Sequence, residues 1–100
     1  MELTQNYDIG IIERLKRERA FVKALLAEVD ETLGNEEYPV AQELLRVLVL
    51  GTVGFNPLSD SLSMTGVALQ ELLEAKPPPP PAHLRAIATA LKRALDVTTN

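Results

Sequence analysis

The chain has 100 residues with no cysteine and no tryptophan, one histidine, and only four aromatic residues, Tyr7, Phe21, Tyr38 and Phe55. Without cysteine there is no disulfide framework and no thiolate metal site, a composition that agrees with a cytoplasmic protein. With so few aromatics the core must be built from aliphatic side chains. With His83 as the only histidine, a serine nucleophile has one available base and no third group to orient it. Ser59, Asp60, Ser61 and Ser63 form a polar cluster that reads as helix caps and exposed faces. No glycine-rich phosphate loop and no metal-ligand spacing occurs. The expectation is a protein that is not an enzyme and has no cofactor and no metal. The apolar run at residues 47–50 is far shorter than the roughly 20 residues a membrane span requires. The opening MELTQNYD is polar and acidic, unlike a secretory signal. No membrane association is expected.

What is present is 46% hydrophobic residues and 24% charged ones, in proportions that suit one folded domain. Leu, Ala and Glu dominate and favour helix over strand. The net charge is −4, unevenly spread. Residues 1–39 hold nine acids and five bases, and residues 40–100 hold five of each. Between Glu74 and Asp96 every charged side chain is basic: Lys76, Arg85, Lys92 and Arg93, with His83 beside them. A local basic face of this kind can hold phosphate even on an acidic chain; the alternative is a solvated helix surface.

The stretch NPLSDSLSMTGVALQELL, residues 56–73, organises the rest. Asn56 and Pro57 read as the start of a short helix over 57–62, with Asn as cap and Pro in the first turn. Ser63 and Met64 break it. Thr65 can cap a second helix, in which Ala68, Leu69, Leu72 and Leu73 follow at helical spacing. Two short helices joined by a tight turn form a helix-turn-helix, in which the second helix enters the DNA major groove; the alternative is a pair of short core helices.

Along the rest of the chain, residues 1–8 read as a short arm, with Asn6 or Asp8 capping a helix that begins near Ile9. That helix runs into a basic cluster of Arg14, Lys16, Arg17 and Arg19, and the charged KRER is either mid-helix or a bend. A second helix over about 20–33 repeats Phe21, Leu25, Val29 and Leu33 every fourth residue. Gly34-Asn35 is a stop, since either residue adopts the left-handed conformation. Pro39 opens a third helix over about 40–53. Its Gln42, Glu43 and Arg46 form a polar face, while Leu44 to Leu50 leave almost no polar side after Arg46. Such a helix is central to a core or forms half of an interface. Residues 77–81 are five prolines that hold an extended rod, read as a rigid loop in preference to a ligand for proline-binding domains. The last helix spans about 81–95, with Pro81 in its first turn and a fraying tail over 96–100. The fold class is all-α, with five to six short helices: a helical extension over 1–38 and a helix-turn-helix core over 39–97.

Taken in register, LSDSLSMTGVALQELL resembles the lambda-repressor-like (Xre-type) helix-turn-helix pattern, through Leu58, Leu62, Met64, Thr65, Leu69 and Leu72. With LTQNYD, AFVKALLAEV, LLRVLVLGTVGF and the proline loop followed by LRAIATAL, nearly the whole chain resembles the addiction-module antidote proteins, small bacterial antitoxins. The resemblance implies a homodimeric all-α regulator that binds double-stranded operator DNA at its own promoter. It also implies a small basic ribonuclease-type toxin as a protein partner. In that reading Thr65 and Gln70 touch base edges, with Gly66 among the groove-facing residues. Val67 packs on a thymine methyl, and Ser59, Lys76 and Arg85 hold phosphates. Gly66, Val67 and Glu71 stand where relatives carry polar or basic side chains, which motivates an alternative. In it the helix-turn-helix is a scaffold, and the acidic segment 28–37 engages a basic partner by charge complementarity.

Overall fold

The computed structural model describes residues 2–95, with side chains described from Ile9 onward. The tail expected over 96–100 lies outside the described residues. Six helices follow one another and no strand occurs among the described residues: α1 (Glu2–Arg17), α2 (Arg19–Gly34), α3 (Tyr38–Gly51), α4 (Phe55–Ser61), α5 (Gly66–Glu74) and α6 (Pro81–Ala94).

The third helix is the axis of the molecule. It touches each of the other five helices, as its nearly unbroken apolar surface requires. Leu45, Leu48 and Val49 are fully buried. Burying side chains of this size contributes about 1.5–3 kcal/mol each. Leu15 from α1, Val22, Leu26, Val29 and Leu33 from α2, Leu58 from α4, Leu69 and Leu73 from α5, and Leu84, Ile87 and Leu91 from α6 join one continuous cluster around them. The segment 1–38 thus contributes to the same core as the rest. Among the described residues no helix is long and apolar enough to cross a membrane.

Local chemistry explains most helix ends. Pro39 stands in the first turn of α3 and Pro81 opens α6, where a missing N–H costs nothing. The prolines between α5 and α6 act as a packed connection: Pro79 is buried and Pro78 and Pro81 are half-buried.

Several expectations are corrected. The residues expected as an arm belong to α1, which is helical from Glu2, with Asn6 and Asp8 inside it. No proline or glycine interrupts the chain before Gly10, and cap-forming residues are tolerated inside a helix at less than about 0.7 kcal/mol each. Of the two readings of the KRER segment the bend holds, as a break at one residue. Glu18 is extended (φ −121°, ψ 102°), its N–H closing α1 on the Arg14 carbonyl at 2.9 Å and its own carbonyl accepting from Phe21 and Val22 at 3.1 and 3.2 Å. The stop after α2 uses neither Gly34 nor Asn35 in the left-handed region; Glu36 takes it, with φ 62°. The Glu36 N–H bonds to the Leu33 carbonyl at 3.2 Å and the Glu37 N–H to the Thr32 carbonyl at 2.8 Å, the paired bonds of a Schellman ending. Asn56 does not cap α4: the helix starts two residues earlier than expected, at Phe55 after Gly54, whose φ is 82°.

Candidate functional site

The short pair α4 and α5 is joined by residues 62–65. Ser63 has φ 57°, and the Ser63 and Met64 N–H groups bond to the carbonyls of Asp60 and Ser59 at 3.3 and 3.1 Å. This repeats the Schellman ending of α2 with serine at the left-handed position. Met64 and Leu62 are half-buried against the core, and Thr65 caps α5, its Oγ1 accepting from the Ala68 N–H at 3.1 Å. Gly66 sits where α5 meets α4. A Cβ built there would overlap Asn56 Oδ1, the end of a side chain that can turn away, while the Asn56 Cα would stand at an ordinary 3.6 Å. Leu69 and Leu73 bury the inner side of α5.

The outer side follows from the same spacing. Val67, Gln70, Glu71 and Glu74 lie three and four residues apart and all are exposed. Val67 is 67% exposed, the most exposed of the large apolar side chains. Gln70 Nε2 donates to Glu74 Oε2 at 3.3 Å. The exposed stripe therefore carries an uncharged N-terminal half and an acidic C-terminal half. Lys76, also exposed, follows two residues after the helix ends.

The C-terminal end of α5 is held by a residue that the sequence assigns to a polar surface. Gln42 is buried on α3, and its Nε2 donates to the carbonyls of Leu72 and Ala75, each at 2.9 Å. These are carbonyls that a helix end leaves without partners inside the helix. The signal for this was available: Gln42 stands three residues before Leu45 and seven before Val49, on the buried stripe.

The structure sorts the expected site residues. Thr65, Val67, Gln70 and Lys76 are exposed along α5 and just beyond it, and Gly66 is half-buried beside them. Ser59 is not on the surface: it is 2% exposed and its hydroxyl donates to the Asn56 carbonyl at 2.8 Å. Its position three residues after Asn56, on the buried side of a short helix, accounts for this. Arg85 lies on the side of α6 that faces α2, in a cleft with Asp30, Leu33, Ala88, Thr89 and Lys92, whereas α6 meets the helix pair through α4. The basic face expected over residues 76–93 is also interrupted, because Lys92 Nζ pairs with Asp30 at 2.7 Å and ties α6 to α2.

The basic cluster at the end of α1 is a different surface. Arg14 is engaged, with Nε 3.1 Å from Glu18 Oε1 and its guanidinium 4.0 Å above the Phe21 ring centre. Lys16, Arg17 and Arg19 line a cleft of about 370 Å³ with Gly51, Thr52 and Leu95. No protein-family model, no curated protein and no solved structure matches the chain.

Proposed function

We propose that this chain is a helix-turn-helix transcriptional regulator of the antitoxin kind, which binds double-stranded operator DNA through α5. The observation that carries the reading is the outer N-terminal half of α5. Val67 is 67% exposed there beside an exposed Thr65 and Gln70, and no charge intervenes. A large apolar side chain held out on a short, capped helix has no role in the core, and contact with a thymine methyl is the role it fits in a major groove. Gln70 supplies an amide for a base edge once it leaves Glu74, and Lys76 supplies a phosphate contact at the helix end. Thr65 retains its hydroxyl hydrogen while its oxygen caps the helix. Ser59 and Arg85 have no part in this reading, for the reasons of burial and position given above.

The partners follow from the same surfaces. A homodimer would present two copies of α5 to half-sites about 34–36 Å apart. Its contact is assigned to the face of α3 that carries the exposed Val40 and the half-buried Leu44. The exposed acids Glu28, Glu31, Glu36 and Glu37 suit a small basic ribonuclease-type toxin. The test of DNA binding is a fluorescence titration with duplex taken from just upstream of the gene and with a scrambled duplex, at several salt concentrations. The reading requires tighter binding to the upstream duplex.

A second reading is favoured by one observation: α5 carries Glu71 and Glu74 and no cation, and Glu74 holds Gln70. In that reading the helix pair is a scaffold for protein contact without specific DNA recognition. Equal weak binding to both duplexes, with co-purification of the neighbouring gene's product, selects it.

A further inference from the structure

We propose that the cleft lined by Lys16, Arg17 and Arg19 at the α1–α2 junction grips the phosphate backbone of double-stranded DNA. The choice of DNA as the polyanion rests on the reading above.

Three cations from two helices line this cleft, and among the described residues no acid does. Part of their presence has a structural explanation. The C-terminal ends of α1, α3 and α6 meet here, and cations near such ends are favourable. That explanation does not use up the charges. Two of the carbonyls near these ends have backbone partners: the Thr52 and Gly54 N–H groups bond to the Val49 carbonyl at 3.3 and 2.8 Å, and the Leu95 N–H bonds to the Leu91 carbonyl at 3.0 Å. Only Arg19 reaches a carbonyl, that of Leu95 at 3.4 Å. Among the described residues Lys16 and Arg17 have neither an acidic partner nor a hydrogen-bonded one, and both are exposed.

The break at Glu18 sets the direction of the two helices that carry them. In an unbroken helix, at about 100° per residue, the three would already share an arc of about 160°, with Lys16 and Arg19 about 60° apart and Arg17 about 100° to the other side of Lys16. With the extended residue between Arg17 and Arg19, all three border one cleft.

The surroundings select the partner. Leu15 and Val22 are buried and Leu95 is half-buried, so the cleft offers no exposed apolar side chain to insert into a bilayer or to anchor a folded protein. The three cations at its border suit a repeating anionic backbone. Position agrees with this: Gly51 and Thr52 line the cleft, and the chain passes from them through Val53 and Gly54 directly into α4, the first helix of the pair. The cleft also supplies what that pair lacks. With Ser59 buried and Arg85 beside α2, Lys76 is the one expected phosphate contact still next to α5, whereas half to two-thirds of the hydrogen bonds in protein–DNA complexes go to phosphate and sugar.

The experiment compares four proteins on the upstream and scrambled duplexes across a salt series. They are the native chain, the triple variant Lys16→Gln, Arg17→Gln, Arg19→Gln, the double variant Val67→Ala, Gln70→Ala, and a control with Arg85→Gln and Arg93→Gln. Circular dichroism checks that each is folded. The proposal expects the triple variant to weaken binding to both duplexes by a similar factor, roughly ten-fold or more. It also expects the slope of log affinity against log salt to flatten by about 2–3, near 0.9 for each phosphate that is no longer neutralised. The arginine control should bind nearly as the native chain does. If the triple variant binds with unchanged slope while the α5 variant loses its preference, the cleft assignment is wrong and the helix-turn-helix reading stands. If the triple variant loses binding while the native protein never distinguishes the duplexes, the cleft assignment stands and specific recognition by α5 is wrong. An equal loss in the arginine control overturns the assignment, since overall charge then suffices. No binding of the native chain to either duplex, or cleft-dependent binding to polyglutamate or anionic vesicles in its place, also overturns it.

Discussion

Gln42 Nε2 on α3 donates to the carbonyl oxygen of Ala75 at 2.9 Å, and the same amide reaches Leu72. One buried side chain thereby closes the end of α5 and sets that helix against the central one. Replacing Gln42 by Leu leaves these carbonyls facing an apolar side chain, and the cost expected is about 1–3 kcal/mol for each group left unsatisfied in a buried place. Gln42→Glu removes the donor as well and sets a carboxylate against two carbonyls. Urea denaturation of the two variants should rank native above both, with Glu at least as destabilised as Leu at neutral pH. Stability equal to native in Gln42→Leu would mean that these bonds do not hold the end of α5.

Gly51 and Leu15 pack together at the other end of α3. A Cβ on Gly51 would stand 2.7 Å from Leu15 Cδ1 and 2.8 Å from Leu15 Cβ. Since Leu15 Cβ is fixed to the α1 backbone, rotating the side chain does not clear it. Gly51→Ala is expected to cost about 1–3 kcal/mol, as overpacked core positions do. Gly10 is also within a helix, but a Cβ there meets nothing within 4 Å. Gly10→Ala should therefore stabilise by about 0.5–1 kcal/mol, the usual helix penalty of glycine. Opposite signs in thermal melts of the two variants check the close packing of α1 on α3.

Ser63 and Glu36 occupy left-handed backbone positions, with φ 57° and 62°, after α4 and α2. Such a conformation costs a residue with a side chain roughly 1–2 kcal/mol, and glycine avoids it. Ser63→Gly and Glu36→Gly are each expected to stabilise the fold by up to about 1 kcal/mol, less what glycine loses in chain entropy. For a domain of this size 1 kcal/mol raises Tm by about 4–8 °C. The alanine variants at the same positions serve as the contrast and should give no such gain.

The same positions separate what is legible in the sequence from what is not. Thr65 as a cap, Pro39 and Pro81 in first turns, and the central position of α3 follow from local preferences and from periodicity, both of which the sequence displays. Asn56 is misread as a cap because a proline at the third helical position looks, locally, much like one at the first. The left-handed turns escape sequence reading because glycine or asparagine is the preferred residue there, while Ser63 and Glu36 fill the role under tertiary constraint. The partners of Gln42 lie 30 and 33 residues away, so no local pattern names them, although its stripe marks it as buried. The cleft that Lys16, Arg17 and Arg19 border lies at a break at Glu18 that neither proline nor glycine announces. Of the expected contact residues, those on α5 are legible from helical spacing. Ser59 and Arg85 require knowing which side of each helix faces the core or a neighbour.

The central claim is that the exposed stripe of α5 reads DNA, and the ratio of affinities for upstream and scrambled duplex measures it most directly. The native chain should prefer the upstream duplex, and Gln70→Ala should erode that preference by about 1–3 kcal/mol, the discrimination carried by a good side-chain contact to a base. Val67→Ala should reduce it by a smaller amount, with little change in salt dependence for either variant. A native ratio near one, or a clear preference that both variants leave untouched, would contradict the account.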